Sequence, residues 1–234
     1  MSQELAVKSE NSLATKNHYQ ESQLRDIIIP KLIILHEAKY GLPAGTMIDS
    51  VDKQKVEGTF IPLFTYKSYV KFDSNNKSEW STNDITDPRV QTGLKWNMQA
   101  KDSKSQRPEV TEFLNFVVVV NDDLSFPSIL GFKASSLRIG RTLNTTCLRQ
   151  SGEASLPGFN RGQFANKRRY NLVVREEKGK RTYWVPDFTV PQDKNVFVVD
   201  SELQIKLNDL AVRFAPLLLA KNSPVAVEDE APEL

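Results

Sequence analysis

The chain has 234 residues, 39% hydrophobic and 26% charged, with 31 Lys and Arg against 29 Asp and Glu for a formal net charge of +2. Those figures suit a globular protein of one or two domains and exclude fibrous and strongly disordered chains. A lone Cys147 excludes a disulfide framework and a Cys-based zinc site. With His18 and His36 as the only histidines, most His-ligated metal and Ser-His-Asp chemistry is excluded on supply.

The N-terminus, MSQELAVKSENSLATK, is polar and lacks the apolar stretch of a signal peptide, which predicts a cytoplasmic protein. Residues 1–22 are rich in Ser, Asn, Gln and Lys and read as a flexible arm. From Ile27 to Leu35 a β-branched run broken by Pro30 predicts an edge or bent strand, and Leu42-Pro43-Ala44-Gly45 a turn. Phe60 to Phe72 alternates aromatic and polar positions, the period of a half-buried strand. Asp73 to Pro108 reads as a polar excursion with a short strand at Gly93 to Gln99. Thr111 to Val120 is the strongest strand, ended by Asn121-Asp122-Asp123, and Ser128 to Phe132 predicts the next.

Ser135 and Ser136 can cap a helix from Leu137 to Arg149 with Leu137, Leu143 and Cys147 inward. Gly152 to Asn166 reads as a loop, and Tyr170 to Arg175 with Thr182 to Pro186 as a hairpin around Glu177-Lys178-Gly179-Lys180. Ser201-x-x-Gln204 has the form of a capping box. The helix it opens, through about residue 221, carries Leu203, Leu207, Leu210, Phe214 and Leu217, a stripe that either packs on the core or pairs protomers. Pro216 should kink or end it. Residues 23–200 thus form a mainly β (α+β) domain, an OB-like small barrel with an inserted helix, followed by a C-terminal amphipathic helix and an acidic tail at 222–234. No run is apolar enough to span a membrane; the longest, Phe116 to Val120, is strand-sized.

The near-neutral total conceals a separation. Between Lys133 and Trp184 stand 12 basic residues against Glu153, Glu176 and Glu177, whereas the last 13 residues hold Glu228, Asp229, Glu230 and Glu233 with no base. Basic blocks suit polyanions, or merely solvate a surface; acidic tails solubilise, or compete for a basic groove and recruit partners. The basic block is interleaved with Phe132, Phe159, Phe164, Tyr170, Tyr183 and Trp184, and Pro157 to Phe164 sets two aromatics about Arg161. Single-stranded nucleic acid binds to that combination, phosphates on cations and bases on rings. The candidate phosphate ligands are Arg138, Arg141, Arg161, Lys167, Arg168 and Arg169. The candidate stacking residues are Phe159, Phe164, Tyr170 and Trp184.

Enzyme signals are thinner. There is no phosphate-binding glycine loop, and His36-Glu37 lacks the second histidine of a zincin. Asp122-Asp123 reads as a turn or a Mg²⁺ site. Pro186-Asp187 followed by Gln192-Asp193-Lys194 has the outline of a PD-(D/E)xK nuclease, with Gln in place of an acid. The chain therefore reads as a non-enzyme without a cofactor, with that nuclease and a scaffold protein as alternatives.

Pro30-Lys31-Leu32 with the Gly45 segment, the aromatic strand from Phe60 to Tyr69, and Phe132-Lys133-Ala134-Ser135-Ser136-Leu137 before a basic helix resemble phage single-stranded-DNA-binding proteins. That broad group includes the Drc-type RNA polymerase cofactors of lytic podophages. The resemblance spans about residues 24–190 and implies an OB-like fold, single-stranded DNA as partner and a homo-oligomer. It also implies a role in replication, recombination or phage transcription, with polymerase or replication proteins met through the tail. It transfers no catalytic residue. The tail here ends Pro-Glu-Leu rather than Pro-Phe or Asp-Phe.

Overall fold

The β-branched run Thr111–Val120 lies within one mixed sheet of eight strands. In a computed structural model, which describes residues 28–100, 108–151, 168–178 and 182–219, the strands are β1 (Lys31–Ile34), β2 (Met47–Asp49), β3 (Gly58–Phe72), β4 (Ser78–Thr82), β5 (Thr111–Val120), β6 (Ser128–Lys133), β7 (Tyr170–Lys178) and β8 (Thr182–Thr189). Among the described residues the helices are α1 (Pro88–Gln99), α2 (Leu137–Ser151), the short α3 (Lys194–Phe197) and α4 (Ser201–Leu219). The strand order is β2-β1-β6-β5-β3-β7-β8, with β4 beside the far end of β3. Every pairing is antiparallel except β1 with β6.

β3 is the spine. It pairs with β5 from Phe60 to Val70, with β7 at its start and with β4 at its end. The alternation expected of a half-buried strand is absent from Phe60 to Phe64, which are buried without a break, because a helix covers each face. Along β5, Phe116 and Val118 point to α2, meeting Ile139, Leu143 and Cys147. Val117 and Val119 point the other way, to Leu207, Leu210, Ala211 and Phe214 of α4. Pro62 is tolerated in this central strand because the register shifts between Pro62 and Phe64. α2 lies close on β6: a Cβ on Gly140 would stand 2.8 Å from the Phe132 ring. A smaller cluster of Tyr69, Val90 and Val110 seats α1 at the far end of β3.

The mainly β, α+β architecture agrees with expectation, but the sheet is an open one. Among the described residues no ladder joins β2 to β8, although β8 curls back to touch β1 and β6. No described helix is long and apolar enough to cross a membrane.

Three local expectations are corrected. β1 begins after Pro30 and lies inside the sheet, between β2 and β6, so β2 forms the edge. Gly93 to Gln99 belongs to α1: the Asp87 carboxylate accepts from the Arg89 amide and Pro88 occupies the first turn, a start signal stronger than the strand propensity of a short run. Asp200, not Ser201, caps α4, accepting from the Leu203 amide, while Gln204 donates to the Val199 carbonyl. Pro216 stands in the last described turn of α4, three residues before Leu219. The stripe Leu203 to Leu217 packs on the sheet, the first of its two expected roles. Ser136, expected to cap α2, closes the preceding 3-10 turn, accepting from the Lys133 amide and donating to the Lys133 carbonyl. The arm at 1–22, the loop Gly152 to Asn166 and the acidic tail lie outside the described residues.

Candidate nucleic-acid interface

With Ile139, Leu143 and Cys147 turned to the sheet, helical periodicity dictates what the outer side of α2 presents. It is Arg138, Arg141, Thr142, Thr145 and Arg149, all exposed and each three or four residues from another along one stripe. The threonine hydroxyls donate back into the helix, Thr142 to the Arg138 carbonyl and Thr145 to the Arg141 carbonyl, each at 3.0 Å. The guanidinium groups are thus the outward donors. Arg138, Arg141 and Arg149 are exposed and form no ion pair with a described carboxylate, and an exposed planar guanidinium is a fork that suits phosphate.

The rest of the basic block is differently employed. Arg169 donates through Nε and Nη2 to the Asp122 carboxylate at 2.9 and 2.8 Å, and through Nη1 to the carbonyls of Val196 and Val198. Its side chain is 12% exposed, and the hydrogen-bonded Asp122 carboxylate raises its pKa further. Arg169 is therefore corrected from a phosphate ligand to a structural staple. Arg168 lies half-buried with its guanidinium 5.0 Å from the Phe197 ring centroid. Tyr170, expected to stack on bases, is 1% exposed; its ring is packed by Phe60, Phe188 and Phe197. Burial raises the pKa of its hydroxyl and pushes the neighbouring Cys147 thiol up to about 12. A ring without an open face offers no stacking surface, so this expectation is corrected too. Phe159, Arg161, Phe164 and Lys167 lie outside the described residues.

Trp184 remains half-open, on a strand that packs against α2 and against the turn that opens it. Its indole lies on Gly45, where a Cβ would come within 2.7 Å of Nε1; at φ +81° that position favours glycine in any case. The exposed His36 ring is 6.5 Å away, tilted by 43°. The β1–β2 connection continues outward to Tyr40, 51% exposed, with Lys39 Nζ 5.4 Å from its ring centroid. Tyr40 and Gly41 both have positive φ and close a tight turn between Lys39 and Leu42. His36, Lys39 and Tyr40 were missed in the sequence because they lie some 100 residues before the basic block. The dipeptide Tyr40-Gly41 was their available signal, since a glycine beside an aromatic in a turn marks an outward-facing ring.

The enzyme candidates do not assemble. The Asp187 carboxylate is held by Arg175 Nη1 at 3.0 Å and accepts from the Phe188 amide, and the side chain of Lys194 lies outside the described ones. Asp122 is bound by Arg169, and Asp123 accepts from the Ser125 amide. Hydrogen bonds from the Ser125 hydroxyl, first, and from its amide hold the Asp123 carboxyl below its usual range. Among the described residues no three His, Cys, Asp or Glu side chains gather as a metal site. No protein-family model matches the chain, and neither a curated protein nor a solved structure does.

Proposed function

We propose that the protein binds single-stranded DNA with little sequence preference and does no chemistry on it. The observation that carries this reading is the α2 stripe of Arg138, Arg141 and Arg149, three exposed guanidinium groups on one rigid face with no described acid to neutralise them. Trp184, with His36 and Tyr40 on the adjoining hairpin, adds flat rings, and rings beside a cationic track suit unpaired bases. The curled sheet with β8 returning to β1 and β6 supports an OB-like description of the domain. The resemblance noted in the sequence favours a role in phage replication, recombination or transcription. No observation favours the nuclease, whose Asp187 is occupied by Arg175.

Fluorescence anisotropy with a labelled oligothymidylate, beside a duplex of equal length, tests the proposal. Tighter binding of the single strand, weakening as salt rises, is expected. No binding at low salt, or preference for the duplex, would overturn it.

A further inference from the structure

α4 is amphipathic on two sides. Its buried side, Leu207, Leu210, Ala211 and Phe214, is accounted for by the sheet, and Phe214 is locked edge-on against Phe126 at 5.2 Å. On the opposite side Ile205 is 62% exposed, Val212 68% and Leu219 50%. These are three of the largest exposures of aliphatic side chains in the described structure, and they recur every seven residues. That spacing keeps them on one line along a helix, drifting by only about 20° per repeat. A solvated helix has no use for such a line, because polar residues there would cost nothing.

The charges beside the line specify what covers it. Asp209 and Arg213, four residues apart, flank it on one side, and neither forms an ion pair with the other or with a further described residue. The other flank carries uncharged Asn208 and Ala215. Two copies of α4 laid antiparallel about a two-fold axis near Val212 bring like flanks together in opposite directions. Val212 then meets its own copy, Ile205 meets Leu219, and Asp209 of each chain stands opposite Arg213 of the other. The arrangement also separates the segments that follow Leu219, each with four acids and no base from Asn222 onward. They leave from opposite ends of the Ile205–Leu219 overlap, roughly 21 Å apart along the helix axis and beyond the screening length of about 8 Å at physiological salt.

We propose that the Ile205–Val212–Leu219 face of α4 is a self-association surface, on which a second copy of this chain docks antiparallel with reciprocal Asp209–Arg213 pairs. The surface needs no nucleic acid, so it stands or falls apart from the DNA-binding reading. Sedimentation velocity on the full chain over a concentration series, with circular dichroism to confirm folding, tests it. Wild type is expected to shift with concentration from the 26.5 kDa monomer to twice that mass. Val212→Arg places a charge in the seam and should weaken association by roughly tenfold or more. Asp209→Arg and Arg213→Asp should each weaken it, and combining both changes in one chain should restore it. An equimolar mixture of the two single variants should form a mixed dimer. A wild type that stays monomeric at every concentration would overturn the proposal, leaving the stripe to a different protein. So would a Val212→Arg variant that associates as wild type does, or a double variant no better than the singles.

Discussion

Within one basic block, arginines carry opposite duties. Arg169 satisfies Asp122, 47 residues away, and two carbonyls 27 and 29 residues away; Arg138 and Arg141 are exposed and pair with no described acid. Arg169→Ala should therefore cost stability, about 2 kcal/mol for charge-assisted bonds left unmade, readable as a lower urea midpoint, while DNA affinity of the folded fraction is kept. Cys147 supplies a second check at this scale. Its thiol titrates near pH 12 when folded, against an ordinary value of 9.0. Between those values the folded chain binds the proton that the unfolded chain has lost, so stability should fall as pH rises through that window. Comparison with Cys147→Ala isolates the slope, and alkylation of the native protein at pH 8 should be slow. The sequence showed which residues were basic or flat. It could not show which were already paired, since Arg169–Asp122 and the burial of Tyr170 are decided by distant strands.

At the scale of elements, legibility followed the length and regularity of the pattern. β5, the β7–β8 hairpin and the buried stripe of α4 were readable because long periodic runs leave little choice of face. α1 was misread although Asp87-Pro88 announced it, because an Asx-Pro pair also starts turns and Leu94, Trp96 and Met98 mimic strand alternation. β4, five residues long, exists only because β3 offers it an edge. The two candidate caps of α4 can be told apart by thermal melting. Asp200→Ala should lower the melting temperature and Ser201→Ala should not. The Asp200 carboxyl is held below its usual range by the Leu203 amide, so its contribution is present above the unfolded pKa and lost as acid protonates it. Gly45→Ala belongs here as well. It forces Trp184 off the hairpin and should change indole fluorescence and weaken DNA binding without altering its salt dependence.

For the whole molecule, the +2 total is a balance between a basic middle and an acidic end. Removing residues 222–234, which hold four acids and no base, raises the formal charge to +6 and is expected to tighten DNA binding at low salt. Unchanged affinity would make the tail a solvating end. The barrel was the part of the architecture least legible in advance, because closure depends on how far β8 curls toward β2, and strand patterns do not encode curvature. The central claim is that the α2 face meets phosphate. The salt dependence of oligothymidylate affinity, measured for wild type beside the Arg138→Ala/Arg141→Ala double variant, tests it most directly. A slope of log affinity against log salt shallower by about 0.7 for each lost contact is expected, with thermal stability unchanged. An identical slope in the two proteins would contradict it.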